Sequence, residues 1–560
     1  MYILGLRSGH DAGACLIKDN IILADVSEER FSRIKNDSSF PVEAINYCLD
    51  VAKISSDQLD VISIAADTLY EEFYNFFEFK NKAEPKKYKP KFPRSLIYKN
   101  RKKFDLPIYI DKFKLSNSCE IDLVKHHVCH AAAAYYTCPL KGAAPVLAVI
   151  MDGIGDGESV SIYRCNGNNL EKLYSVNGLG SLAWFYGVAT EGYGWKHGSD
   201  EWKIMGLAPY GTPKIEAFHG LYPTYENGKL EEGVQYQPFS RYNDHGCNHY
   251  HSRASFSFYE ISQNMSPENY AASVQKIAEL QADKIVYPWM ERTGLSDVVF
   301  GGGFFLNVKY NQKIWESGKL NSQWVYPNPG DSGLAFGAAA YSINSRRQAP
   351  LFFEYGDGCF GPEFSDDYIE NILIDRQIQY DTSENVFADV ATLLQAGNVI
   401  GWFQGRMETG PRALGHRSIL MSATDEKNKD IVNKKIKYRE GFRPFCPSII
   451  DIDYEKYLRS TRDDEYMISS FQASDLAAKE IPAVVHFDRT ARPQKVLPHT
   501  QPIYYKLLEN YRKLTGIGAI MNTSFNIKGE PIVCSPREAL KCFYDTGIDV
   551  LVLSKFIIKK

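Results

Sequence analysis

The sequence predicts a two-domain α/β protein, and three observations carry that prediction. Its 560 residues amount to about 3.7 domain equivalents at roughly 150 residues each, enough for two or three domains with a core apiece. Apolar runs of strand length alternate with helical stretches such as Ser273–Arg292, and three of the runs end in turns rich in Gly and Asp. Near 345–385 the pattern breaks: Ser345-Arg346-Arg347-Gln348-Ala349-Pro350 ends an Ala/Gly-rich helix, a polar Gly- and Asp-rich segment follows, and a fresh alternation starts near Val386. The expected division is a first domain over 1–345, a linker over 346–384 and a second domain over 385–560.

The elements follow in order. Tyr2–Leu6 reads as a first strand, Arg7–Asp11 as a turn and Ala12–Ile17 as a second strand. Lys18-Asp19-Asn20 then turns the chain into Ile21–Val26, so the opening is a hairpin or meander. Val146–Met151 runs into Asp152-Gly153-Ile154-Gly155-Asp156-Gly157, and Val298-Val299-Phe300 into Gly301-Gly302-Gly303. Glycine lets backbone N–H groups approach phosphate oxygens closely. Any one such turn looks like an ordinary hairpin turn. Three of them after apolar runs point to the nucleotide cleft of the actin, sugar-kinase and Hsp70 type, and none matches a P-loop.

Composition narrows the function classes. The formal charge is −4, with 24% charged and 44% apolar residues, which excludes a disordered chain and a uniformly basic nucleic-acid binder. No stretch approaches the roughly 18 apolar residues of a spanning helix, and the Met1-Tyr2-Ile3-Leu4-Gly5 start has no basic leader, so no membrane association is expected. The eleven cysteines include no C-x-x-C pair, which argues for a reduced, cytoplasmic setting. No period of 20–50 residues marks a solenoid.

Two sets of residues could carry chemistry. In His126-His127-Val128-Cys129-His130, the first and last histidines are i and i+4, so on a helix both imidazoles share a face and can share a metal. The alternative is a hydrogen-bonded histidine pair at a helix start. His127 and Cys129 point elsewhere and read as packing residues. Asp331, in Asn328-Pro329-Gly330-Asp331-Ser332-Gly333, is the candidate third ligand or else a helix N-cap. Two histidines and one carboxylate leave positions open, which suits Fe(II) or a catalytic zinc. The second set is arginine framed by Gly and Pro: Gly405–Ser418, Lys437–Phe445, His486–Arg492 and Asn522–Asn526. Such framing aims a rigid fork at phosphate or carboxylate oxygens, where a solvated face would be Lys-rich.

With these segments in register, the chain resembles the NodU/CmcH family of O-carbamoyltransferases over nearly its whole length. The resemblance rests on Glu28–Lys35, the His-His-x-x-His-Ala run, Met205–Gly211, the Gly-Pro-Arg-Ala-Leu-Gly-x-Arg-Ser run at 410–418 and Asn522–Asn526. It implies an N-terminal actin-like domain of the TsaD type and a C-terminal YrdC-like α/β domain. The YrdC-like site would make carbamoyl-adenylate from ATP, with Mg2+, and carbamoyl phosphate; the TsaD-like site would pass the carbamoyl group to a hydroxyl. By motif match, His126, His130 and Asp331 would hold the metal, iron first among divalent ions. His10, beside Asp11, would serve the transfer step as a histidine titrating near neutrality. Asp152 with Gly153, and Gly301 and Gly302 with Asn307, would hold the adenylate. Arg412, Lys437, Arg443, Arg492, Asn522 and Ser524 would bind ATP and carbamoyl phosphate, with Arg492 also serving catalysis. No motif residue is missing, so an active enzyme is expected.

One stretch stands apart. Residues 80–114 hold thirteen basic side chains against three acidic ones, a net +10, with interleaved aromatics such as Tyr88, Phe92 and Tyr98. Basic plus aromatic is the composition of a surface that tracks phosphates and stacks bases; the alternative is a solvated lysine-rich loop. Used as a surface, it would favour a nucleotide, a hydroxymethylated DNA base or a nucleotide-activated sugar as acceptor. Two competing functions are a threonylcarbamoyl-type tRNA-modifying enzyme fused to its adenylating partner, and an actin-like ATP-binding switch without transfer chemistry. Homo-oligomerisation is the default for an enzyme of this size.

Overall fold

The computed structural model describes residues 1–65, 77–78, 113–231 and 253–560, apart from 141, 143 and 444. The basic stretch 80–114 lies outside the described residues save for its last two. Two five-stranded sheets of one topology build the N-terminal part. In the first, Tyr2–Arg7, Gly13–Lys18 and Ile21–Ser27 form the expected antiparallel meander. Val61–Ala65 and then Glu120–Val124 extend it in parallel from the other side of the first strand. The second sheet repeats the plan with the meander Val146–Gly155, Glu158–Asn166 and Asn169–Asn177, and with Asp297–Gly301 and Ser322–Val325 added in parallel. The repeated topology is the architecture expected of an actin-like cleft. Asp156 and Gly157 both adopt positive φ, 50° and 86°, the hairpin turn that an Asp-Gly pair between apolar strands predicts.

The helices His126–Tyr136 and Leu334–Ser345 pack against each other and reach both sheets. Their small residues, Ala131–Ala134 on one and Ala335 and Gly337–Ala340 on the other, are fully or almost fully buried. The strands beneath are buried along nearly their whole length, which is why they read as continuous apolar runs rather than alternating ones. A Cβ at Gly337 would lie 2.1 Å from the Cys129 carbonyl oxygen. Gly337→Ala must therefore push two packed helices apart, and it is expected to destabilise the protein by about 2 kcal/mol or more. A wild-type thermal midpoint for that variant would contradict this packing.

The C-terminal part is built on a mixed eight-stranded sheet. Named by first residue, its strands run Asp381, Phe556, Val550, Ile400, Arg417, Ala519, Cys446, Gln494. Val386–Gln395 and Pro502–Thr515 cover one face, where Val390, Leu394, Tyr504, Leu507 and Tyr511 pack. A second buried cluster covers the other, including Ile419, Phe445, Tyr454, Phe525 and Leu540.

The loop 404–416 is rooted in the first meander. The Arg30 guanidinium donates to the Gly410 carbonyl (2.7 Å), Arg406 to the Leu23 carbonyl (2.8 Å), and the Thr409 hydroxyl to the Asp25 carbonyl (2.6 Å). Arg33 donates to the carbonyls of Pro531 and Ile532, each at 2.8 Å. Among the described residues no helix is long and apolar enough to cross a membrane.

Candidate active site

The N-terminal site starts where strand ends meet a helix start. The His126 backbone N–H donates to the Asp156 carboxylate (2.7 Å), so the hairpin turn fixes the first turn of the His126–Tyr136 helix. His126 and His130, one turn apart, bring their Nε2 atoms to 3.1 Å. Asp331 Oδ1 lies 3.3 Å from His126 Nε2 and 3.8 Å from His130 Nε2, while its Oδ2 accepts from Arg7 at 2.8 Å. Asp152 joins them. Its Oδ2 is 3.3 Å from His126 Nε2, and its Oδ1 accepts the Gly303 N–H at 2.8 Å.

One ligand atom from each of His126, His130, Asp152 and Asp331 lies within 4.8 Å of the others. The two carboxylates hold His126 protonated, raised to about 9 against burial, while burial pushes His130 down to about 4. Two neutral imidazoles and two carboxylates around that position fit a divalent metal in place of the His126 proton. The sequence reading placed Asp152 at the adenylate turn alone; it is also the fourth member of this group.

The glycine turn leans on the same residues. Gly302 adopts φ 96°, and a Cβ there would fall 2.1 Å from the Met151 carbonyl oxygen, so only glycine lets the two strand ends approach. A Cβ at Gly301 would lie 3.0 Å from the His130 carbonyl oxygen, and one at Gly153 would touch Trp184 at 3.7 Å. Asn307 is occupied within the protein. Its Oδ1 accepts the Tyr310 N–H (3.1 Å), capping the helix Val308–Glu316, and its amide pairs with Gln275. It shapes the turn.

His10 and Asp11 sit on the turn between the first two strands, with His10 Nδ1 3.0 Å from Asp11 Oδ2 and 57% of the imidazole exposed. That hydrogen bond raises His10 to about 9. The near-neutral titration expected of His10 is therefore corrected: Asp11 keeps it protonated at neutral pH. The pairing is complete below the ordinary histidine value near 6.5 and fades as pH rises through about 9. Asp11→Asn is expected to return His10 toward 6.5, read by NMR titration of the imidazole. An unmoved titration would remove Asp11 as the cause.

The C-terminal site is a cluster of cations. Burial pushes the Lys437 ammonium well down, and it donates to the Ser524 carbonyl (2.5 Å), the Asn526 carbonyl (2.9 Å) and Asn526 Oδ1 (2.8 Å). Lys437 ends a π-helical turn, Asn433–Lys437, and Tyr438 follows at φ 46°. Asn522 Nδ2 donates to the Ala413 carbonyl (3.1 Å) and Ser448 Oγ (3.0 Å), which ties the 410–415 loop to the sheet. Arg412 has a buried Nε without a partner, and burial together with Arg492 lowers its guanidinium to about 9. Arg492 Nε reaches Cys446 Sγ at 3.0 Å. Arg443, lowered to about 9, lies 3.0 Å over the Trp202 ring, and Arg439, lowered to about 10, lies 4.4 Å over Phe445. Mutual repulsion is a cause of these shifts, opposed only in part by Asp464 near Arg412 and by Asp200 and Glu440 near Arg443; Glu440 also faces Lys203 at 3.6 Å. Such an array stands ready for a polyanion.

The helix Glu201–Leu207 joins the two parts: Trp202 underlies Arg443, Lys203 meets Glu440, and a Cβ at Gly206 would touch Phe442 at 3.7 Å. Two family models match the chain, "Carbamoyltransferase N-terminus" over residues 2–340 and "Carbamoyltransferase C-terminus" over residues 391–560. The chain belongs to the carbamoyltransferase family.

Its relatives match along nearly the whole chain. The carbamoyltransferase is 31% identical to nodulation protein NolNO of Sinorhizobium fredii, across 98% of this chain and 79% of that protein. It is 33% identical to the uncharacterized protein sll1178 of Synechocystis, across 100% and 97%. Among solved structures, full-length HypF in its phosphate- and nucleotide-bound form matches at TM-score 0.36 and 14% identity, covering 63% of this chain and 56% of that one. Family membership makes the carbamoyltransferase an enzyme and sets aside a switch without transfer chemistry.

Of the residues singled out from the sequence, the structure gathers His126, His130, Asp331 and Asp152, and separately Arg412, Arg443 and Arg492. Lys437 with Ser524, and Asn522, stand in the same C-terminal segments. Arg439 was missed although it lies in the same Gly-framed run. Arg7 was missed because nothing local in Leu6-Arg7-Ser8 announces a partner at Asp331. Cys129 and His127 pack internally, the latter against Ser161 Oγ at 2.8 Å.

Proposed function

We propose that the chain is an ATP-dependent O-carbamoyltransferase in which a YrdC-like C-terminal unit (385–560, after a linker over 346–384) makes carbamoyl-adenylate and a TsaD-like N-terminal unit (1–345) transfers it. The observation that carries this reading is the cationic cluster of Arg412, Lys437, Arg439, Arg443 and Arg492, whose mutual repulsion a triphosphate together with a second phosphate would relieve. The balance is ATP, carbamoyl phosphate and one water giving carbamoyl-adenylate, pyrophosphate and phosphate. Arg412 and Arg492 hold the anions being cleaved, and those anions return the buried Lys437, fixed by Ser524 and Asn526, to its charged form, where water does not screen it.

At the N-terminal site an acceptor hydroxyl attacks the carbamoyl carbon and AMP leaves. The hydroxyl proton passes to the His10–Asp11 pair, of which the carboxylate is the basic member while the imidazole stays protonated. Gly301, Gly302 and the Asp152–Gly153 turn leave room for the adenylate beside Asp152, with Asn307 holding the turn. A divalent metal, iron(II) foremost, held by His126, His130, Asp331 and Asp152 would polarise a carbamoyl or phosphate oxygen as a Lewis acid. Arg7 holds Asp331 in place for that task. A nucleotide, a hydroxymethylated DNA base or a sugar is the proposed acceptor class, in a cytoplasmic homo-oligomeric enzyme.

The test is pyrophosphate release from ATP by the full-length protein without any acceptor. Release that requires carbamoyl phosphate is expected. Release that requires threonine and bicarbonate instead would replace this reading with the tRNA-modifying one.

A further inference from the structure

A second set of metal-ligating side chains lies outside both sites. Asp357 and Cys359 belong to the Tyr355–Gly361 segment that joins the two parts of the chain, and His416 stands at the end of the 404–416 loop. One ligand atom from each lies within 4.8 Å of the others. His416 is 6% exposed, and neither of its ring nitrogens has a hydrogen-bond partner. A neutral imidazole carries one donor and one acceptor, and native proteins rarely bury both unanswered. Its Nε2 is 3.7 Å from Asp357 Oδ2, too far for a hydrogen bond. That separation is, however, within a few tenths of an ångström of the edge, about 3.4 Å, of a tetrahedron about an ion with N and O ligands at about 2.0–2.1 Å.

The backbone already holds the three groups together. The Thr409 N–H donates to the Gly358 carbonyl (2.8 Å), Gly361 N–H to the Met407 carbonyl (2.9 Å), and Gln404 N–H to the His416 carbonyl (2.9 Å). Glu408 Oε1 accepts the N–H groups of Leu414, His416 and Arg417 at 2.8, 2.9 and 3.0 Å, fixing the turn that presents the imidazole. Cys359 is 4% exposed. Arg406 and Arg417 are its cationic neighbours and Asp357 and Glu408 its acidic ones.

We infer that Asp357, Cys359 and His416 form a second metal site, selective for zinc, that pins the inter-domain segment to the loop carrying Arg412. One thiolate and one carboxylate neutralise a dication, and the neutral imidazole completes three ligands with a position left for water. The thiolate favours a borderline-soft ion over the hard cations that carboxylates alone would take.

The experiment uses the full-length protein loaded with Co2+. The His126, His130, Asp152 and Asp331 group contains no sulfur, so a thiolate-to-cobalt charge-transfer band in the near ultraviolet reports the second site alone. Two equivalents of Co2+ and that band are expected for the wild type. Cys359→Ser should lose the band and one equivalent, and His130→Gln should lose an equivalent while keeping the band. A wild-type protein with no thiolate band overturns the inference, as does a band that survives in Cys359→Ser. The first of these readouts is on the unmodified chain, so a variant that fails to fold does not shelter the idea.

Discussion

Replacing Arg412 by alanine is expected to cut carbamoyl-phosphate-dependent pyrophosphate release by about 10²–10³-fold, the usual cost of removing one preorganised donor from a site of developing charge. The same change should leave the thermal midpoint unchanged or raise it. Arg412 has no ion-pair partner among the described residues; Arg492 repels it more strongly than Asp464 attracts it, and deleting it relieves that repulsion. Activity lost with stability held or gained is the signature of a group placed for a ligand rather than for the fold. Arg412→Lys should not restore the rate, because a point charge cannot span two oxygens as a guanidinium fork does. A variant that melts lower and keeps its rate would make Arg412 a structural residue.

The second large effect separates the two half-reactions. Asp152→Asn and His130→Gln should lose about 10³-fold in carbamoyl transfer while pyrophosphate release continues, because the residues changed belong to the N-terminal group alone. These two positions are preferable to Asp331, whose loss would also leave the Arg7 guanidinium without its carboxylate. Asp152→Asn keeps an oxygen for the Gly303 N–H and removes the charge beside His126. Metal content should fall with the transfer rate. Loss of pyrophosphate release to the same degree would mean that the chemistry happens in one place.

Much of this architecture could be read from the chain. Continuous apolar runs gave the strands because the central strands of the N-terminal sheets are covered on both faces, and Asp-Gly pairs gave the turns because few residue types tolerate positive φ. Helical spacing brought out His126 and His130 because i and i+4 is a local relation. Partners distant in sequence were legible only in part. Asp331 stood out by its turn, whereas Asp152 shows its metal-facing role only when one of its oxygens is seen on Gly303 N–H and the other beside His126. The charge state of His10 depends on where the Asp11 carboxylate rests, which no spacing rule contains. Cys359 and His416 lie 57 positions apart in segments that read as a linker and an anion-binding loop, so nothing local pairs them.

The hydrogen bonds from Arg30, Arg33, Arg406 and Thr409 have an evolutionary corollary. Each ends on a backbone carbonyl of the opposite half, so these contacts read main-chain position, whereas Arg33–Glu538, Lys309–Asp488 and Lys203–Glu440 read side chains across the same seam. Away from those pairs either half can drift in sequence, provided that its loops keep their course and these four donors remain. Transplanting one half from a distant relative should succeed or fail on loop length at 23–25, 410 and 531–532 and on those few side-chain pairs, and hardly at all on the percentage of residues shared.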